Sequence, residues 1–154
     1  TAALLNECRY RLAEQYVSEN RNADAEALYQ ALGSYKDSVA LLRKLHYDMA
    51  EAALTAEDYT TAAKLYGELG KYKDSADKWK QSMYALAAQE LANQQYREAI
   101  EDFTSLGKYE DSETQAESAT FSLALELKTS GEMDEALALL KSLPDNASAR
   151  DQFS

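Results

Sequence analysis

His46 is the only histidine in a chain of 154 residues. A histidine that works as a general base needs a nucleophile or a carboxylate within hydrogen-bond reach. In the repeat set out below it aligns with Arg9, Met83 and Thr120, an irregular set that fits a structural place at or near the surface. Cys8 is the single cysteine, so no intrachain disulfide can form. It aligns with Leu45, Ser82 and Ala119, which points to a small packing residue on a helix. The chain has no CxxC, HExxH or EF-hand spacing, and its five glycines (33, 67, 70, 107 and 131) are too scattered to cradle a phosphate. Three Asp-Ser pairs remain, Asp37-Ser38, Asp74-Ser75 and Asp111-Ser112, and these types in this order are helix N-cap chemistry. No set of residues points to a reaction or a cofactor, and the chain reads as non-enzymatic.

The Asp-Ser pairs belong to a longer signal. The heptapeptide Leu-Gly-x-Tyr-x-Asp-Ser occurs at Leu32–Ser38, Leu69–Ser75 and Leu106–Ser112, each copy 37 residues after the last. A fixed period of this size marks an array of stacked supersecondary units. The columns extend beyond the heptapeptide: Tyr10, Tyr47, Tyr84 and Phe121; Ala13, Ala50, Ala87 and Ala124; Ala25, Ala62, Ala99 and Ala136; Tyr29, Tyr66, Phe103 and Leu140. Ten of the eleven tyrosines fall in such columns, which argues for packing over a cofactor box. The repeats run over about 1–37, 38–74, 75–111 and 112–148 of one repeat domain, 1–154. Residues 149–154 read as the start of a further helix or a cap, with Phe153 in phase with Leu5, Leu42 and Trp79. Opening on a repeat boundary, the chain is expected to be a fragment of a longer protein.

One repeat reads as a helical hairpin. After Asp37 and Ser38, Leu41, Leu42, Leu45, Met49, Ala53 and Leu54 recur at the helix period to about Ala56. Glu57-Asp58 makes a short turn, and Tyr59, Ala62, Ala63, Tyr66 and Leu69 form the stripe of a second helix. Gly70 and Gly107 are expected to close the short helices at positive φ, with Asp74 and Asp111 capping the next ones. The alanine columns are expected where two helices approach closely, and the large columns between repeats.

Met49-Ala50, then Tyr59-x-x-Ala62, then Tyr66-x-x-Leu69 resembles the tetratricopeptide repeat, and Tyr96, Ala99, Phe103 and Leu106 repeat the match. The chain departs from that family in its 37-residue unit, in alanine on the first helix, and in its linker, which is similar to those of large multidomain bacterial proteins. The resemblance implies an all-α, right-handed superhelical solenoid of four helix-turn-helix repeats. It also implies a concave face lined by the long helices. Tyr10, Tyr47, Tyr84 and Phe121 map to that face, with Glu14 and Glu51 one turn on and Val17, Leu54 and Leu91 about two turns on. Such a column spans on the order of 30 Å, enough for roughly nine residues of extended peptide. Lys44 and Lys128 are the cations near these positions, so an acidic tail suits this groove poorly.

Charge narrows the partners. There are 27 acidic and 16 basic residues, a formal net charge of −11. Such a field repels nucleic acid and anionic membrane surfaces. No run of about 18 apolar residues exists to enter a bilayer. The expected function is a non-catalytic scaffold that binds a protein or peptide, basic or apolar-aromatic in character, on the concave face. The alternative is a structural spacer or assembly segment within a larger protein.

Overall fold

The computed structural model describes residues 1–144. They form eight helices and no strand: α1 (Ala2–Ser18), α2 (Asn22–Leu32), α3 (Ser38–Thr55), α4 (Tyr59–Leu69), α5 (Ser75–Ala92), α6 (Tyr96–Leu106), α7 (Ser112–Ser130) and α8 (Met133–Ser142). Long and short helices alternate. Contacts divide the chain into two units, Thr1–Trp79 and Lys80–Ser154, so α5 starts in the first and runs on into the second. In the first unit α1 packs on α2, α2 on α3 and α3 on α4. In the second, Tyr84, Ala87 and Leu91 of α5 close on Ala99, Ile100 and Phe103 of α6. There α6 packs on α7 and α7 on α8. The segment 149–154, read as the start of a further helix, lies outside the described residues.

Each long helix ends in the same way. The N–H groups of Arg21, Asp58, Gln95 and Glu132 donate to the carbonyls of Tyr16, Ala53, Glu90 and Leu127 at 2.8, 2.9, 2.9 and 2.8 Å. This is the six-to-one bond of the Schellman motif, and it needs the residue before it in the left-handed region. Asn20, Glu57, Gln94 and Gly131 sit there, with φ of +58°, +60°, +62° and +93°. The chain therefore turns into the short helix through glycine only once, in the last hairpin.

The linker between hairpins is two successive turns. Gly33, Gly70 and Gly107 have φ of +53°, +56° and +57° with ψ of −122°, −110° and −122°. The N–H groups of Tyr35, Tyr72 and Tyr109 donate to the carbonyls of Leu32, Leu69 and Leu106 at 3.1, 3.1 and 3.2 Å. That combination is a type II′ turn, whose first central position is a glycine position. The positive φ expected of Gly70 and Gly107 is present, but ψ places them in the II′ region and not in the left-handed helix region. A second turn follows over Lys36, Lys73 and Glu110, each at φ +49°. In it the N–H groups of Ser38, Ser75 and Ser112 donate to the carbonyls of Tyr35, Tyr72 and Tyr109. After α8, Pro144 stands in the glycine's place, and Leu143 before it is extended (φ −76°, ψ 143°), the conformation favoured before proline.

The alanine columns are where the helices meet. Ala13, Ala50 and Ala87 on the long helices, and Ala25, Ala62 and Ala99 on the short ones, are wholly buried. Ala124 and Ala136 keep the places in the last hairpin. Tyr29, Tyr66 and Phe103 fill the space beside them, while Leu140 in the same column stays exposed. Cys8 departs from its expected packing role and is exposed. Its counterpart Leu45 is covered by Ala25, Tyr29 and Leu32 of α2, and α1 has no such neighbour among the described residues. His46 is half-buried, with Nε2 3.0 Å from Oε1 of Glu26, and so ties α3 to α2.

One hairpin breaks its own apolar rule. Tyr16, Ala53, Glu90 and Leu127 share a column on the long helices, and Leu28, Leu65, Asp102 and Leu139 share one on the short helices. Ala53 and Leu65 join one hydrophobic cluster, and Leu127 and Leu139 another. In the third hairpin the two places hold carboxyl groups, and Oε2 of Glu90 is buried with no hydrogen-bond partner. Burial, then the adjacent Asp102, pushes the Glu90 carboxyl up to about 7, and burial raises Asp102 as well. A buried carboxyl oxygen with no donor favours the protonated form, in which it carries the proton itself beside Asp102.

Candidate binding surface

The tyrosine column lies on the long helices and is fixed from two sides. Tyr10 Oη donates to Asp37 Oδ1 at 2.5 Å, Tyr47 Oη to Asp74 Oδ1 at 2.6 Å, and Tyr84 Oη to Asp111 Oδ1. The ring of Tyr47 meets Tyr66 of its own short helix and Tyr72 of the linker edge-on, with centroids 5.9 and 5.8 Å apart. Tyr10 stands likewise against Tyr29 and Tyr35, and Tyr84 against Phe103 and Tyr109. Edge-to-face pairs of this kind are worth about 0.5–1.5 kcal/mol beyond the area they bury. The bond to a carboxylate pushes the Tyr10, Tyr47 and Tyr84 phenols up to about 12, and holds Asp74 and Asp111 below the usual carboxylate range.

The linker aspartates therefore have another task than the one expected. Asp37 and Asp111 occupy the N-cap positions of α3 and α7, but their side chains make no capping bond. Their Oδ1 atoms, like that of Asp74, accept from the tyrosine of the preceding long helix and clasp the linker to it. The sequence holds a trace of this pairing. Where the tyrosine becomes Phe121, the aspartate's place is taken by Ser148, so hydroxyl and carboxylate disappear together.

The serines beside them are wholly buried. Ser38 Oγ donates to the Tyr35 carbonyl at 2.6 Å, whereas Ser75 and Ser112 Oγ have no partner.

The acidic positions of the expected groove divide. Glu14 is exposed. Glu51 accepts from Tyr66 Oη and pairs with Lys78 Nζ at 2.5 Å, which lowers its carboxyl. Its charge is thus spent within the first unit. In the first repeat Glu7, a residue absent from the expected groove, plays a related part. It accepts from Tyr35 Oη at 2.9 Å and Lys36 Nζ at 2.6 Å, and these bonds with Arg11 hold its carboxyl down at about 2. Lys44 pairs with Asp48 at 2.6 Å on its own helix.

Each ring of the column keeps an edge that its neighbours leave open. Tyr10, Tyr47, Tyr84 and Phe121 are all half-buried. Val17 is exposed, while Leu54 and Leu91 pack partly into the clusters around Ala50 and Ala87. Lys36 and Lys73 lie over the Tyr10 and Tyr47 rings at 4.6 and 4.2 Å from the centroid. The positive φ of these lysines swings them back over the rings, a placement that helix periodicity could not foretell. Among the described residues no cluster of three His, Cys, Asp or Glu side chains could hold a metal ion, and no helix is long and apolar enough to cross a membrane. Compared with known proteins, the chain matches no family model, no curated protein and no solved structure.

Proposed function

We propose that this chain is a non-catalytic protein- or peptide-binding scaffold built as a tetratricopeptide-like array, its hairpins stacking into a right-handed superhelical solenoid. The observation that carries the reading is the tyrosine column. At one phase of successive long helices an aromatic edge stays half-exposed while its hydroxyl is locked to a linker aspartate. A ring already held in one rotamer loses little entropy when a partner covers it, which is the economy that favours tyrosine at binding faces. The partner is a protein or peptide with apolar or aromatic anchors and some basic character, because Glu14 is open and the chain is acidic overall. Nucleic acid is disfavoured on the same ground.

The clasp also favours the second reading, a structural spacer, since it braces each linker against the helix before it. A panel of basic-aromatic and acidic-aromatic peptides separates the two. Glu14→Lys with Val17→Asp changes exposed positions and leaves the clasps in place. A scaffold should prefer the basic peptides and lose roughly 10-fold in that variant, about 1.4 kcal/mol. Failure to bind any member of the panel assigns the chain to the spacer class.

A further inference from the structure

The first unit contains a cleft of about 600 Å³ between the start of α3 and the linker that follows α4. Val39, Leu42 and Leu69 give it an apolar lining, and Arg43, Lys71 and Lys73 stand around it. We propose that this cleft is a recognition site for an acidic peptide segment that carries an apolar anchor. It borders the face offered to a basic partner above, since Lys73 also lies over the Tyr47 ring, but it does not depend on that reading.

Three observations carry the assignment. The first is the state of the cations. Lys36, Lys44, Lys78, Arg11, Arg21 and Arg97 are each paired with a carboxylate. Among the described residues no carboxylate pairs with Arg43, Lys71 or Lys73. Arg43 lies over the Tyr72 ring at 5.8 Å from its centroid, and Lys73 lies over the Tyr47 and Tyr72 rings at 4.2 and 5.4 Å, where its charge also helps to lower the Asp74 carboxyl. A cation over a ring is held there without a carboxylate partner of its own, and the ring orients it. Glu68 is the one carboxylate lining the cleft, against three cations, and His46 beside it is held by Glu26 at 3.0 Å.

The second observation is that the repeat does not require this set. At the two lysine positions the other linkers carry Ser34 and Lys36, or Lys108 and Glu110. In the column of Arg43 stand Asn6, Lys80 and Glu117. The hairpins form with any of these, so packing does not fix the three-cation combination. The third is Val39, an apolar side chain left 52% exposed at the cleft edge where its counterparts are Ala2, Ala76 and Glu113. It offers a contact for one apolar side chain of a bound segment.

Charge complementarity also selects a short peptide over a polyanion. The first unit has thirteen acidic and ten basic residues, and the second has fourteen and six. A nucleic acid extending past the cleft meets this excess of carboxylates. A few glutamates seated in the cleft meet mainly the three cations, since charges beyond about 8 Å are screened at physiological salt.

The test uses the full chain and a short fluorescein-labelled peptide of glutamates around one leucine and one phenylalanine, followed by anisotropy. Binding should weaken about 10-fold when the glutamates become glutamines, and again about 10-fold in Arg43→Glu/Lys71→Glu. Lys71→Ala, a change at an exposed side chain, should show a smaller loss in the same direction. Lys64→Glu reverses one charge where Arg43→Glu/Lys71→Glu reverses two, at an exposed position of α4 outside the cleft, and should leave binding within about 2-fold. Equal affinity for the glutamine peptide, or equal losses in Lys64→Glu and Arg43→Glu/Lys71→Glu, would overturn the proposal. Tighter binding of a single-stranded oligonucleotide of matching charge would overturn the assignment to a peptide.

Discussion

Replacing Glu90 and Asp102 together by leucine restores to the third hairpin the apolar pairing its neighbours have. The magnitude follows from the acid pair. A pKa difference of one unit between folded and unfolded states is worth 1.36 kcal/mol. The rise of Glu90 from 4.5 to about 7 therefore caps the cost of ionising it in the fold at about 3 kcal/mol. The side chain is half-buried and keeps some solvent, which reduces this to about 1–2 kcal/mol. The sign is fixed by linkage. A carboxyl raised in the fold holds its proton more tightly when folded, so stability falls as pH climbs from about 4.5 through 7 and stays lower above it. Asp102 is raised in the same direction and adds to the effect. The charges acting on Glu90 are Asp102, Glu98 and Glu101 of α6, all negative, and none offsets the loss.

Urea unfolding followed by circular dichroism, from about pH 5 to about pH 8.5, reads this directly. The wild type should lose about 1–2 kcal/mol across that span from this pair, and Glu90→Leu/Asp102→Leu should not. Near pH 8 the variant should exceed the wild type by about 1–4 kcal/mol, the range seen when buried charged groups give way to well-packed apolar ones. Parallel stability–pH curves for the two proteins would refute the reasoning, because they would mean that the carboxyls ionise in the fold at no cost.

Three further outcomes are expected from thermal or urea melts. Gly70→Ala should destabilise by about 1–3 kcal/mol through torsional strain alone, since the new Cβ would meet nothing within 4 Å; Glu57→Gly or Gln94→Gly, at the left-handed Schellman position, should stabilise by about 0.5–1 kcal/mol, and equal small effects at all three sites would contradict the turn assignment. Ala62→Leu and Ala99→Leu, at wholly buried helix contacts, should overpack and cost about 1–3 kcal/mol each, and an unchanged melting temperature would remove the close-contact account. Tyr84→Phe and Asp111→Asn should each cost about 0.5–1 kcal/mol without adding in the double variant, and strict additivity would show that the clasp contributes nothing.

The hairpins were legible because their signals are local. The apolar spacing from Leu41 to Leu54 and from Tyr59 to Leu69, with Gly70 after it, gave helix limits close to those of α3 and α4. The alanine columns were legible for a related reason, since a wholly buried contact admits one size of side chain in every copy. The clasp was not, because an aspartate at an N-cap position has a local use that conceals a partner 27 residues away. Its trace lay in the paired loss at Phe121 and Ser148. The Schellman turns were concealed by composition: Asn20, Glu57 and Gln94 carry positive φ without being glycine, and Gly131 alone marks their column.

A repeat array separates two demands that a globular domain superimposes. Packing recurs with the period, so a residue that recurs is explained by its neighbours and says little about a partner. Departures from the period are then of two kinds, and burial distinguishes them. Glu90 and Asp102 depart in columns that are apolar in the other hairpins, at a cost to the fold that grows as the pair ionises. Arg43, Lys71 and Lys73 come together at exposed positions whose columns vary, Lys71 matching Lys108 and Lys73 matching Lys36 while the rest differ. The exposed set can be reversed in charge without touching a buried contact, so its loss should be felt in binding and not in the melt. The buried pair should behave in the opposite way, and measuring both variants by both assays tests whether burial is the right divider.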